Sequence, residues 1–446
     1  MFEVRDREIL RELARRVAEI AELEVQAERR ELWRRHNSLK AVRPMLLVFP
    51  EGSWIELIPF SSLRCEHGLA RLFELELRQR LYHHDRFGDD TVMEREWIVH
   101  KAIHRSGWGL EPRFRRSGTE RGAWGFDPVI LAPVDLEQLR FPEISHDEAE
   151  TERRLEIAGE LFGDILEIKL KGIAHLSYHL MLEYTSLRGL EQVMIDMLEA
   201  PEMLHQAMRF FTEGHQRILE QCTQQNLLSL NNDSTYNSTG GNGYTGELPP
   251  ADCDPERVRP CDMWASAEAQ EMAGVSPRMH EEFILVYEKR LLEPFGLTGY
   301  GCCEDLSGKL DQVLAVPHIR RISISPFADV ERSAEKLGGR AIFSWKPQPA
   351  HLTGSFDAER IRRYLRHTLE VARARGCILE IILKDTHTCE SRPERFTRWL
   401  EIARQEIDRS GQRESRHGQE LPLGVAVRGM KKSRGEPHED HGGGDL

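Results

Sequence analysis

The chain has 446 residues, enough for one large domain or two smaller ones; 40% of them are apolar and 30% charged, so a core is available. A formal net charge of −13 argues against nucleic acid or an anionic membrane as the main partner, since both need a basic surface. The N-terminus is charged from Glu3 with no apolar signal core, no run reaches the roughly 20 apolar residues of a membrane span, and the 8 cysteines read as core residues, ligands or nucleophiles rather than disulfides, so the expectation is a cytoplasmic protein with a small-molecule substrate.

In chain order, Ile9, Leu10, Leu13, Val17, Ile20, Ala21 and Leu23 recur mostly at spacings of three and four and predict a long helix over 6–36. Met45 to Phe49 is an apolar run that Pro50, Glu51 and Gly52 end, which predicts a short buried strand. A charged helical pattern follows over 66–105, then an irregular stretch over 106–150 with strands expected around Val129–Leu131. Leu155–Leu170 mixes helix and strand character, and 188–224 is helical with a restart at Pro201.

From residue 227 the rhythm becomes regular. Strands are predicted at Leu227–Leu230, Leu297–Cys302, Arg321–Ser325, Ala341–Trp345 and Leu379–Leu383. Helices alternate with them at 276–294, 307–314, 329–337, 357–375 and 393–407; Ser276-Pro277 opens the first, and Gly338 and Gly376 close two others. Such alternation implies parallel pairing with right-handed crossovers, and several units in succession predict a TIM barrel, (β/α)8. No Gly-x-Gly-x-x-Gly follows a strand, against a Rossmann alternative. The expected organisation is an N-terminal helical extension over 1–43, the barrel over 44–408, and a disordered polar tail over 409–446.

In a parallel barrel, chemistry sits where strands end. Polar residues collect at those places: Asn231, Asn232 and Asp233 after one strand, Tyr300, Cys302, Cys303 and Glu304 after the next, then Ser325, then Trp345 and Lys346, then Asp385, His387 and Cys389. Asp233, Glu304 and Asp385 are candidate acid–base groups, and each is equally suited to cap a helix or pair with an arginine. Asn231, Asn232, Tyr300, Trp345 and Lys346 are candidate substrate contacts. Adjacent strand residues point to opposite sides, so Cys302 and Cys303 are not expected to serve together. Cys302 with Cys389, completed by His387 or Glu304, would suit a catalytic zinc. The alternative is that the thiols are small buried hydrophobes.

These segments resemble the uroporphyrinogen decarboxylase superfamily over roughly residues 40–408, and most closely its zinc-dependent, corrinoid-linked methyltransferases. The resemblance runs through Asp262-Met263-Trp264-Ala265-Ser266, Val275-Ser276-Pro277, Gly299-Tyr300-Gly301-Cys302 and Thr388-Cys389-Glu390. It implies a TIM barrel with its substrate pocket at the C-terminal face, zinc as cofactor, and methyl transfer to a thiol from a corrinoid. No Asp-x-His-x-x-Gly segment is present, so that corrinoid would ride on a separate protein. Tyr300 stands where those methyltransferases carry a histidine. Phe49-Pro50-Glu51-Gly52 carries an acid where true decarboxylases of porphyrinogens carry arginines, which would repel a substrate with many carboxylates. The second expectation is a metal-free lyase of the same superfamily, decarboxylating a small carboxylated substrate.

Overall fold

The computed structural model describes residues 2–116, 118, 124–237 and 239–417. The apolar runs near residues 45, 320, 342 and 380 become strands because they can be buried on both faces, as parallel strands require. Seven strands form one sheet, in the order Met45–Val48, Ile378–Leu383, Ile342–Trp345, Ile319–Ile324, Leu297–Tyr300, Trp264–Ala267 and Ser177–Tyr178. Every neighbouring pair is parallel. Glu96–His100 and Glu167–Lys171 form a separate parallel pair, so the parallel strands fall into a series of seven and a pair of two. The molecule is a mixed α/β fold on a parallel sheet.

The two faces of the sheet differ in chemistry. Ile322, Ile324, Phe343, Trp345, Leu379, Ile381 and Leu383 face the surrounding helices and form the main apolar core with Leu365, Leu369 and Trp399. The alternate residues are polar. Ser344 lies level with Ser323 on one side and Glu380 on the other, and Gly299 lies level with Ser266 and Arg321. Glu380 and Arg321 are completely buried, their Oε1 and Nε 3.0 Å apart. His36 Nε2 lies 3.1 Å from the second Glu380 oxygen, and the Asn37 Oδ1 accepts from Arg321 at 2.6 Å. The helix that ends at Asn37 therefore closes one end of this polar interior.

The segment 231–245 fills the rest. Asn37 Nδ2 donates to the carbonyl of Tyr244 at 2.6 Å. Gly240, at φ +149°, leaves no room for a side chain: an added Cβ would lie 1.9 Å from the Ser344 Oγ. The expectation of a loop after a strand at 227–230 is modified here, since only a single bridge, Ile173 with Leu228, forms there.

Several other expectations are redrawn. The first helix breaks at Glu22–Leu23 into Val4–Ala21 and Glu24–Asn37. Val4–Ala21 shares a second apolar core with Leu77, Trp97 and Phe162. The 66–105 region is helical over Gly68–Tyr82, continued by a π-helical stretch at His83–Phe87, and then turns to strands Glu96–His100 and Ala102–Arg105. Val129–Leu131 is not a strand; a hairpin of Arg113–Arg116 with Trp124–Asp127 precedes it. The last helix runs Glu394–His417, past the expected boundary at 409, and the rest of the predicted tail, 418–446, lies outside the described residues. No helix among the described residues is long and apolar enough to cross a membrane.

Candidate active site

The strongest convergence of reactive side chains lies just past the strand ends, around Cys302. Gly301 at φ +88° takes the chain out of the extended form, which lets the sulfurs of Cys302 and Cys303 approach to 3.4 Å instead of pointing to opposite faces. The Lys384 Nζ lies 3.5 Å from the Cys302 Sγ, and the Cys303 thiol donates to Asp385 Oδ2 at 3.3 Å. Asp385 itself sits at φ +59°, and its neighbour Thr386 is bonded back to Phe49 and Pro50, which fixes this turn against the end of the first strand.

Two more residues complete the cluster. Glu268 follows the Trp264–Ala267 strand, and His179 follows Ser177–Tyr178. His179 Nδ1 is 3.0 Å from Glu268 Oε1, while its Nε2 is 2.8 Å from the Ser177 Oγ. Burial works to lower the imidazole pKa, but Glu268 beside it raises it above the usual value. Burial in turn works to raise Glu268, and hydrogen bonds from His179 and Cys302 hold it below the carboxylate range. A hydrogen bond with Cys303, burial and the Glu268 charge push the Cys302 thiol well up, so it rests neutral. Burial works against the Lys384 charge, but Tyr236, Cys302 and Asp385 around it keep it an ammonium. The cluster thus combines a soft sulfur, a fixed cation and an ionised acid–base pair.

Glu304 holds this arrangement together from behind. Its Oε2 accepts the Cys302 N–H at 2.8 Å and its Oε1 the Ala269 N–H at 3.3 Å, so one buried carboxylate ties the loops after two strands. Burial raises its pKa. Its oxygens are thus engaged with backbone, away from a metal or a substrate.

The other expected site residues are placed as follows. Tyr300 faces the helices, where its hydroxyl donates to Glu288 Oε2 at 2.6 Å and lies 2.9 Å from His280 Nε2. Trp345 also packs on the helix side, 5.0 Å from the Tyr364 ring. Lys346 is buried on the inner face, bonded to the Ser344 Oγ at 2.9 Å and to the Thr239 carbonyl, and burial lowers it to about 8. Asn231 joins two segments, its Nδ2 donating to the carbonyls of Ala174 and Trp264 and its Oδ1 accepting the Trp264 N–H at 2.9 Å. Asn232 donates to Leu248, and Asp233 pairs with Lys171. The recess beside Asn231 and Trp264 leaves about 10 Å³ for the centre of a small molecule, which is room for one water.

The expected metal ligands are not gathered. The Cys389 thiol donates to Glu56 Oε2 at 3.2 Å, and burial raises it to about 11. His387 is exposed, and Glu304 is committed to backbone. Among the described residues no group of three or more His, Cys, Asp or Glu is arranged to hold a metal ion. Cys302, Cys389, His387 and Glu304 do not fit a zinc site in this arrangement.

Sequence reasoning stops short of Glu268, His179 and Lys384. Each is the first or second residue past a strand, which is the usable signal. A cleft of about 710 Å³, lined by none of these three residues, lies between strand Trp124–Asp127 and helices Leu180–Arg188 and Leu190–Glu199 and reaches Glu271.

No protein-family model matches the chain, and no curated protein matches it. Among solved structures, it is similar to a methyltransferase from Methanosarcina mazei, with a TM-score of 0.46 and 14% identity, over 85% of this chain and 98% of that one.

Proposed function

We propose that the chain is an enzyme that transfers a methyl group to a substrate thiol, with the cluster around Cys302 as its reacting centre. The observation that carries this reading is the Lys384 ammonium 3.5 Å from a sulfur, in one cluster with Glu268 and His179, whose Oε1 and Nδ1 are 3.0 Å apart. A thiol attacks a methyl carbon as its thiolate, so the site must take a proton and then stabilise an anion on sulfur. Glu268 accepts the proton from the substrate thiol. Lys384 stabilises the resulting thiolate. The methyl group comes from an electrophilic carrier, for which the family resemblance implies a corrinoid on a separate protein.

A closed β/α barrel of the uroporphyrinogen decarboxylase superfamily is the fold reading that goes with this. The Glu96–His100 and Glu167–Lys171 pair continues from one sheet edge, where the Asp90 N–H donates to Leu46 at 2.8 Å, and runs through 172–176 into the other.

The test is methyl transfer from methylcobalamin to a panel of small thiols, read by mass of the thioether. E268Q and K384M should each slow transfer by about a hundredfold or more while leaving the fold intact. No thioether with any thiol, or wild-type rates in both variants, would overturn the reading. A metal-free decarboxylase is the second reading, favoured by the Lys384 ammonium as a seat for a carboxylate with protonated His179 nearby as acid. It predicts carbon dioxide release that survives C302S/C303S.

A further inference from the structure

We infer that Cys302 and Cys303 are a vicinal dithiol that closes reversibly to a disulfide when a low-molecular-weight disulfide enters the site. The inference stands on the sulfur geometry and does not rest on the methyl-transfer reading.

The sulfurs are already paired at 3.4 Å, and this requires the departure from strand geometry at Gly301. That departure is built in: a Cβ at Gly301 would lie 2.5 Å from the Leu306 Cδ1, so the turn is shaped for glycine. The surroundings divide the labour of thiol–disulfide exchange. Cys303 is half-buried and therefore reachable, and the Asp385 carboxylate 3.3 Å from its sulfur is placed to receive its proton. Cys302 is 9% exposed and has a cation beside its sulfur. Exchange therefore enters at Cys303 and is resolved by Cys302.

The steps balance. The Cys303 thiolate attacks one sulfur of RSSR, forming Cys303–S–SR and expelling RS⁻. Cys302 passes its proton to that RS⁻ and its sulfur then attacks the Cys303 sulfur, forming the internal S–S bond and expelling a second RS⁻. The two thiol protons end on the two departing thiolates, so the protein loses two electrons and two protons and the oxidant is reduced to two RSH. Adjacent Cα atoms are about 3.8 Å apart, below the roughly 4.4–6.8 Å usual for disulfides, so the ring is strained and readily reduced. Such a bond is a reversible modification rather than a staple. Closure removes both thiols from the site.

The experiment treats the reduced full-length chain with glutathione disulfide and follows intact mass and peptide masses over time. A mixed disulfide at Cys303 should appear briefly and give way to a species lighter by two hydrogens within the peptide bearing both cysteines, reversed by dithiothreitol. In C302S the mixed disulfide at Cys303 should persist at least about tenfold longer, and in C303S adduct formation at Cys302 should be about tenfold slower. A mixed disulfide equally long-lived in wild type and C302S, or no adduct at either position, would overturn the inference. Because the readout is mass, either result is independent of whether the chain transfers methyl groups.

Discussion

Replacing Glu380 by Gln tests the polar interior on which the strand ends stand. The wild-type carboxylate is completely buried between Arg321, 3.0 Å away, and His36, 3.1 Å away. Burial alone would raise its pKa; Arg321 and His36 hold it instead at about 2, against a reference of 4.5. A difference of that size corresponds to about 3 kcal/mol of stability. Removing the charge also leaves the Arg321 guanidinium buried without compensation, and breaking such a pair costs about 3–5 kcal/mol. For a chain of this length the unfolding entropy is about 0.9 kcal/mol per kelvin, so E380Q should lower Tm by about 3–6 °C. The sign with pH follows from the depressed carboxylate: its stabilisation is fully present above the unfolded value near 4.5 and is lost as pH falls toward 2. Unfolding of wild type and E380Q should therefore differ most near neutrality and converge in acid. The double variant R321M/E380L, which removes both charges, should cost less than E380Q alone. A change under about 1 kcal/mol in E380Q, or a gap undiminished at about pH 3, would refute the reasoning.

Three further outcomes follow from the geometry. His280 is lowered to about 3 by burial, with Lys309 and Lys289 adding to it, so the stability it contributes is present above the unfolded value of about 6.5 and is lost as pH falls from there toward 3; H280F should flatten the acid side of a stability–pH curve, and an unchanged slope would count against a neutral buried imidazole. Gly240→Ala should cost about 2–4 kcal/mol in urea unfolding, because its Cβ meets the Ser344 Oγ at 1.9 Å and its φ of +149° disfavours a side chain; a loss under about 1 kcal/mol would mean that the 231–245 segment shifts freely. E304Q leaves a backbone N–H facing an amide, so it should lose about 1–3 kcal/mol and speed hydrogen exchange at Cys302 and Ala269, and unaltered exchange there would sink the clamp.

The strands near residues 45, 322, 343 and 380 are legible because each is a compact apolar run, buried on one face against helices and long enough to stand out. Ser177–Tyr178 and Trp264–Ala267 are not, since the first is two residues long and the second, Trp-Ala-Ser-Ala, is no compact apolar run, and both are held by neighbours distant in sequence. Glu96–His100 and Ala102–Arg105 look helical in sequence because charges mask their alternation, and pairing with Glu167–Lys171 and Ile144–Asp147 decides the matter. At the site, the grouping of polar residues at strand ends is legible, and Cys302 and Asp385 come from it. Their parity is not: Lys346 faces inward, so Trp345 faces the helices, and Tyr300 does the same beside inward-facing Gly299. Alternation tells which residues share a face but not which face is inside. The separate engagement of Cys389 with Glu56 cannot be read from sequence, because it depends on how the loop after Leu383 meets a helix 332 or 333 residues earlier in the chain.

The bond between His36 and Glu380 has a consequence for how the protein is made. The partners lie 344 residues apart. At roughly 5–20 residues per second of synthesis, the helix carrying His36 waits on the order of 17–70 s for the acid that completes its contacts. Until then Arg321 has no counter-charge either, so the interior cannot settle piecemeal as the chain leaves the ribosome. Assembly of this core is a terminal event, and a chain truncated before residue 380 would be expected to remain a client of chaperones rather than a smaller version of the fold.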